Sequence, residues 1–250
     1  MNANKHIYGL LGKSLAHSFS KTYFTEKFNE LGLNAEYLNF ELNDINEFSH
    51  LLNFDENLKG LNVTIPYKQQ ILPLLDEVTQ IALEVGAVNT IKIEKGKTIG
   101  FNTDVYGFKQ MIKPFFKSHH ERAIILGTGG ASKAVAYVLQ NLGCEPIFIS
   151  RSPKNNNNQY RYNDINQIMI EACPIIVNTT PVGMFPYQNK MPEFPTEFLT
   201  DRNLVIDLIY NPKETRLLKK SKEKGAKTLN GLTMLHQQAE KAWEIWNSDN

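Results

Sequence analysis

The sequence predicts an α/β protein of two domains, and three observations predict it. Short apolar runs alternate with amphipathic stretches along the chain. Near the middle, Arg122 to Leu126 reads as a buried strand that runs straight into the closely spaced glycines Gly127, Gly129 and Gly130 and then into a helical pattern. With 250 residues, 42% of them apolar, the chain can fill two ordinary globular cores.

The first domain is expected over residues 1–102. Ile7 to Gly12 is a strand, Phe24, Phe28 and Leu31 mark one helix face, and Leu38, Phe40 and Leu42 alternate as a strand does. Leu61, Val63 and Ile65 alternate again, and Pro66 stops that strand. Val88 to Glu94 and Thr98 to Phe101, joined by Lys95-Gly96-Lys97, read as a hairpin, which gives a small α/β domain with a mixed, mainly parallel sheet. The second domain is expected over residues 103–230. There Val135, Val138, Leu139 and Leu142 share one face of the helix after the glycines, and Gly143 terminates it. Pro146 to Ile149, Ile175 to Asn178 and Leu204 to Asp207 are further buried-strand runs extending the same sheet. Leu232 to Trp246 is an amphipathic helix with Leu235, Ala239, Ala242 and Trp246 in line, and residues 231–250 are expected to return onto the first domain.

A strand, a glycine turn and a helix in that order are how a backbone receives a pyrophosphate, and they make the second domain a Rossmann-type dinucleotide-binding domain. Gly127 permits a sharp turn, and Gly129 lets the backbone approach the phosphates. The helix opening near Gly130, Ala131 and Ser132 points unpaired N–H groups at the anion. The third fingerprint position is Ser132 instead of glycine, and a glycine pattern alone also fits an ordinary turn. The next strand ends in Ser150-Arg151-Ser152-Pro153-Lys154, where an NAD site would place a carboxylate. No acid stands there. Arg151 can fork onto a 2′-phosphate, with Ser150, Ser152 and Lys154 as further donors, so NADP(H) is preferred over NAD(H). A solvated basic loop is the competing reading. The asparagine run Asn155 to Asn158 suggests no chemistry.

Composition excludes several other classes. Lys and Arg number 27 against 26 Asp and Glu, so no long-range field recruits nucleic acid or an anionic membrane. No apolar run approaches the roughly 20 residues that cross a bilayer, and the N-terminus has no signal-like apolar core, so a cytoplasmic location is expected. Cys144 and Cys173 are far apart in sequence and read as small buried hydrophobes. His17 and the His119-His120 pair lack ligand spacing, and no metal is implied. Monomer and homodimer are both compatible with the sequence.

Polar groups gather at particular points of the first domain. Asn62 and Thr64 share one face of a strand by its period of two, and Lys68 follows just beyond Pro66. Asn89-Thr90 and Asn102-Thr103-Asp104 flank the hairpin and can bring amides and a carboxylate to the same place. Ser18 and Ser20 precede a helix and, taken alone, read as its caps.

Taken together, these blocks resemble the shikimate dehydrogenase family nearly end to end and in order. The blocks are Ala16-His17-Ser18-Phe19-Ser20, Asn62 to Lys68, Gly86 to Thr90, Asn102-Thr103-Asp104, Gly127 to Ser132, Ser150-Arg151-Ser152, Asn178-Thr179-Thr180-Pro181, Asp207 to Pro212 and Gly231 to Leu235. The resemblance implies NADPH-dependent reduction of 3-dehydroshikimate to shikimate in aromatic amino-acid biosynthesis, in a cleft between the two domains. It implies that Ser18 and Ser20 hold the substrate carboxylate, that Asn62, Thr64, Asn89, Asp104 and Gln238 bind ring hydroxyls, and that Lys68 and Asp104 form the catalytic pair. It also implies that Tyr210, a substrate-binding residue, and Gly231 border the substrate and the nicotinamide, that Met234 packs near the ring, and that Thr179 belongs to the cofactor loops. Ser150, Val105 and Thr233 depart from the family pattern without removing a catalytic group.

The chemistry suits these residues. Hydride delivery to a ketone generates an alkoxide, and a lysine ammonium supplies both a charge and a proton for it. The residues leave open whether Lys68 and Asp104 share that proton or Asp104 mainly grips a hydroxyl. Tyr210 also fits a plain core tyrosine. Two other functions stay open: a quinate-preferring sister dehydrogenase, and a non-catalytic homologue that senses shikimate-like ligands.

Overall fold

The computed structural model describes residues 5–15, 19–154 and 158–248. The chain forms two compact units, Met1–Thr103 with Ala239–Asn250, and Asp104–Gln238.

In the first unit the strands are β1 (His6–Gly12), β2 (Ala35–Glu41), β3 (Leu58–Val63), β4 (Glu77–Val78), β5 (Thr90–Glu94) and β6 (Lys97–Phe101). They form one sheet in the order β2-β1-β3-β5-β6-β4. β1 lies parallel to β2 and β3, and β5 and β6 are antiparallel, so the sheet is mixed as expected. The hairpin turn is tighter than the sequence suggested: Glu94 pairs with Lys97, leaving Lys95 (φ 51°) and Gly96 (φ 80°) as a two-residue turn.

Both faces of this sheet are covered, which explains the unbroken apolar run of β1. Ile7 and Leu11 face one core, with Leu61 and Ile91, and the period of two turns Tyr8 and Leu10 to the other. The first of these cores lies under α2 (Phe48–Leu52) and α3 (Gln80–Val85), through Phe48, Leu51 and Ala82. The second lies under α1 (Phe19–Glu30), through Phe24 and Phe28. Two expectations are corrected. Leu31 is exposed, because α1 ends at Glu30 and Gly32 turns the chain away at φ 62°. Ile65 is also exposed, because β3 stops at Val63, before the alternation reaches it.

The second unit begins at the second residue of α4 (Thr103–Ile112) and continues β7 (Arg122–Leu126), α5 (Gly130–Asn141), β8 (Glu145–Ile149), β9 (Gln159–Tyr160), α6 (Gln167–Ala172), β10 (Ile175–Asn178), β11 (Leu204–Asp207), α7 (Arg216–Glu223) and β12 (Lys227–Asn230). Its sheet runs β12-β11-β10-β7-β8-β9 and every pair is parallel. Ala123 and Ile125 face one core, with Phe108 of α4 and Val135 of α5, while Ile124 and Leu126 face the other, with Ile170 of α6 and Leu217 of α7. From β7 the chain builds outward through β8 and β9 and then resumes at β10 on β7's other side. That reversal places a crevice beyond the carboxyl ends of β7 and β10. Gly143 follows α5 at φ 80°, and Cys144 and Cys173 are both buried free thiols. Burial pushes them up to about 12 and about 11, so both are inert thiols at neutral pH.

α8 (Leu232–Asn247) closes the chain, and the boundary between the units falls within it. Its later part packs on the first unit as expected: Ala239, Ala242 and Trp246 join Tyr8, Phe24 and Phe28 in one core. The Trp246 indole N–H donates to the Ile91 carbonyl at 2.9 Å and lies where a Cβ on Gly60 would stand. Lys92 is buried and donates to the Ser248 carbonyl at 2.6 Å, tying down the end of the helix.

Candidate active site

In the first unit the polar residues singled out in the sequence meet around the ends of β3 and β5. Asn62 of β3 pairs with Thr90 of β5 across the antiparallel ladder, and Asn62 Nδ2 donates to Thr90 Oγ1 at 3.3 Å. Asn89 precedes β5 and is buried. Its Oδ1 accepts from the Thr103 N–H at 2.6 Å, and its Nδ2 donates to Thr103 Oγ1 at 3.0 Å. This amide therefore clamps the start of α4, where Asp104 is the second residue and only 1% exposed. Asn102 is held in turn, its Nδ2 donating to the Ala87 carbonyl at 2.8 Å.

Lys68 lies in the turn after β3 and is half-buried. The turn is fixed on both sides. Its neighbour Tyr67 is buried and donates its hydroxyl to the Leu42 carbonyl at 2.6 Å, and the Lys68 carbonyl accepts from the Val88 N–H at 2.7 Å. Val88 directly precedes Asn89, so the lysine turn and the Asn89 clamp share one backbone segment. Thr64 closes the same turn, its carbonyl accepting from the Tyr67 N–H at 2.9 Å. Ser20 stands in the first turn of α1, and Ser18 lies outside the described residues. The segment leading to them is pinned at Leu15, whose N–H donates to Glu41 Oε1 at 2.6 Å and whose carbonyl accepts from Asn39 Nδ2 at 3.1 Å.

The second unit brings Gln238 to the face of α4 that carries Asp104. Gly107 sits three residues beyond Asp104 on that face, and a Cβ there would run into the Met234 carbonyl and Gln238 Cβ. This close helix crossing went unread in the sequence, where Gly107 looks like a weak helix residue. Met234 itself is buried in the core with Phe108 and Met111.

The glycine loop has the geometry a phosphate needs. Gly127 adopts φ 105°, a conformation that side chains avoid, and a Cβ there would stand 2.9 Å from Thr179 Oγ1. Its N–H donates to the Ile149 carbonyl at 2.8 Å, and both the N–H and the hydroxyl of Thr179 donate to the Leu126 carbonyl, at 3.0 and 2.7 Å. Gly129 is the N-cap of α5 without any side-chain cap, and a Cβ on it would meet no atom within 4 Å. The helix then opens at Gly130 and Ala131. Ser132 is fully buried and donates to the Gly129 carbonyl at 2.6 Å, so a small hydroxyl fits where the fingerprint has glycine. These features fit a dinucleotide pyrophosphate.

Beyond β8, Ser150 Oγ accepts from the Ser152 N–H at 3.2 Å, forming a turn with Arg151 exposed at its tip. That is a bond an asparagine side chain could also make, which explains how Ser150 substitutes for it. Lys154 is exposed, and its N–H donates to Gln159 Oε1 at 2.8 Å; residues 155–157 of the asparagine run lie outside the described residues.

Sequence reasoning gave no role to the residues that brace this edge. Asn178 and Asp207 end adjacent strands in register and are fully buried. Asn178 Oδ1 accepts from the Thr180 N–H and hydroxyl at 3.0 and 2.7 Å, while its Nδ2 donates to Asp207 Oδ1 at 3.0 Å. Asp207 also accepts from the Ile209 N–H at 3.1 Å and the Thr215 hydroxyl at 2.7 Å. Burial pushes its carboxyl up to about 6 despite these bonds. The available signal was a polar residue closing each of two otherwise apolar strands. Tyr210 follows this anchor and is half-buried, with its phenol raised by burial. Gly231 is buried against the Leu208 carbonyl, where a Cβ cannot fit, and its N–H donates to the Ile209 carbonyl at 3.1 Å.

Known proteins share this arrangement. Residues 10–91 match the family model of the shikimate dehydrogenase substrate binding domain. A relative from Aquifex aeolicus, a shikimate dehydrogenase (NADP+), is 40% identical over 99% of this chain and 93% of its own length. The chain belongs to the shikimate dehydrogenase family. Among solved members, shikimate 5-dehydrogenase from Thermus thermophilus, in complex with NADP(H) and shikimate, is 30% identical with a TM-score of 0.85, over 97% of this chain and 93% of that one. A quinate dehydrogenase from Corynebacterium glutamicum in complex with NAD is also 30% identical at a TM-score of 0.85, over 97% and 94%. No helix among the described residues is long and apolar enough to cross a membrane.

Proposed function

We propose that this chain is an NADP-linked shikimate dehydrogenase of aromatic amino-acid biosynthesis, reducing 3-dehydroshikimate to shikimate reversibly in the cytoplasm. Full-length similarity to an NADP+-dependent shikimate dehydrogenase at 40% identity carries this reading. The directed polar groups of the first unit and the glycine loop of the second support it.

NADPH, when bound, supplies the hydride. Gly127, Gly129, Gly130, Ala131 and Ser132 would hold its pyrophosphate, with Thr179 bracing the turn. Arg151, with Ser150, Ser152 and Lys154, would take the 2′-phosphate. Tyr210 and Gly231 would border the substrate and the nicotinamide, with Met234 packing near the ring. Ser18 and Ser20 would bind the substrate carboxylate, and Asn62, Thr64, Asn89, Asp104 and Gln238 its ring oxygens. Lys68 would donate its ammonium proton to the oxygen as the ketone is reduced, and take it back in the reverse direction, with Asp104 as its partner.

The test follows NADPH absorbance with 3-dehydroshikimate, then shikimate and quinate oxidation with each of NADP+ and NAD+. Turnover of shikimate with NADP+ above the other three combinations is the expected result. A preference for quinate would favour the reading suggested by the quinate dehydrogenase likeness. Ligand binding without turnover would make the chain a shikimate sensor.

A further inference from the structure

Tyr37 lies on β2 and is among the largest fully buried side chains of the described residues, at 1% exposure. Its ring stacks on Phe24 at 4.8 Å between centroids and 10° between planes. A phenol in such surroundings needs hydrogen-bond partners. The Tyr37 hydroxyl donates to Asn62 Oδ1 at 2.7 Å, and the Ser20 side chain favours the ionised phenol against the larger opposing effect of burial.

That single hydroxyl proton gives the Asn62 amide a direction. With Oδ1 engaged by Tyr37, the opposite end must be Nδ2, which donates to Thr90 Oγ1. The Thr90 hydroxyl in turn donates to Asn89 Oδ1 at 3.3 Å, and Asn89 Oδ1 accepts from the Thr103 N–H. The series from Tyr37 through Asn62 to Thr90 thus runs in one sense, and the one Thr90 proton lies within reach of both Asn89 Oδ1 and Thr103 Oγ1, the latter at 3.2 Å.

The geometry points to Tyr37 as a positioning residue of the shikimate site: it orients the Asn62 carboxamide as a donor toward a ring hydroxyl. This rests on the reading above, in which Asn62 contacts substrate. Buried at 1% exposure, Tyr37 acts through Asn62 and does not itself touch the ligand. Asn62 Nδ2 carries two hydrogens and Thr90 takes one, so the second is the one offered to shikimate. Without the phenol, the amide loses the donor that engages its Oδ1, and only the longer contact to Thr90 still distinguishes its two ends.

The experiment measures shikimate and NADP+ affinities by calorimetry for the wild-type chain, Tyr37→Phe, Asn62→Ala and the double variant, with a thermal melt of each. Tyr37→Phe keeps the ring on Phe24. It is expected to weaken shikimate roughly 5- to 30-fold and leave NADP+ affinity unchanged. In the Asn62→Ala background the same change should add less than about two-fold, because the residue it acts through is gone. An undiminished effect in that background, or an equal loss of NADP+ affinity, would make Tyr37 a general structural residue and overturn the inference while sparing the site. Unchanged shikimate affinity in Asn62→Ala would remove Asn62 from the site, and the inference with it. Asn62→Asp keeps an acceptor for Tyr37 and replaces the donor with a carboxylate oxygen, so it must weaken shikimate at least as much as Asn62→Ala does. Binding of Asn62→Asp at the wild-type level would overturn the inference even if Tyr37→Phe failed to fold.

Discussion

Asn89 in the first unit and Asn178 in the second are both buried and both clamp a threonine, and the two clamps differ in what stands behind them. Asn89 grips Thr103 with both ends of its amide and is continued by the neutral groups Thr90 and Asn62. Asn178 grips Thr180 with its oxygen alone, because its nitrogen is committed to the buried carboxylate of Asp207. The neutral network presents side chains, and the first unit's candidate site is a set of side chains. The charged one braces loops, and the second unit's candidate site is mostly backbone: a turn at Gly127, an open approach at Gly129 and the start of α5. A small ring with several hydroxyls is read by directional donors, whereas a pyrophosphate is read by N–H groups and a helix dipole.

The largest effect expected from this contrast is on the side-chain half. Lys68→Ala should lower kcat roughly 10²- to 10⁴-fold with little change in shikimate affinity, and steady-state rates at saturating substrate check it. An unchanged kcat would remove Lys68 from proton transfer. Next comes the charge behind the second clamp. The Asp207 carboxyl rises from 3.8 to about 6, so the native state holds this proton more tightly than the unfolded chain. The associated stabilisation is fully present below pH 3.8 and is lost as pH rises through about 6. It amounts to about 3 kcal/mol. Asp207→Asn should erase that component of the stability profile in denaturant titrations between these pH values; the same slope in the variant would assign it to other groups.

The cofactor half is tested by two smaller effects. Removing Arg151 by substitution with Ala should weaken NADPH by about 1.5–3 kcal/mol and NADH hardly at all, and equal weakening of both would refute the 2′-phosphate assignment. The two glycines should then separate stability from binding. Gly127→Ala forces a side chain into φ 105° beside Thr179 and should cost about 1–3 kcal/mol of stability. Gly129→Ala, at φ −79° with no atom near its added Cβ, should leave stability within about 0.5 kcal/mol and weaken NADPH. A Gly129→Ala chain that binds NADPH normally would mean the open space there is not where the phosphates lie.

Much of this was legible in the chain because it rests on local rules. Periodicity and the glycine fingerprint located β7, α5 and β8, and the alternation around Asn62 put it on the face opposite Leu61 and Val63. What stayed hidden involves partners distant in sequence. Tyr37 reads as one more aromatic strand residue until Asn62 is seen on its hydroxyl. Gly107 reads as a weak helix residue until α8 crosses it, and Asp207 as a strand-terminal acid until Asn178 and Thr215 enclose it. Leu31 and Ile65 fail for a related reason, since periodicity carries no information about where an element stops.

The two sheets, the glycine turn after β7, the absence of an acid after β8 and the family could all be read from the chain, because strand periodicity, glycine conformation and side-chain charge are properties of neighbouring residues. Which way the Asn62 amide points, what encloses Asp207 and why residue 107 lacks a side chain emerge from the folded chain alone. Each of those is fixed by a bond or a close approach between segments that the chain alone does not bring together.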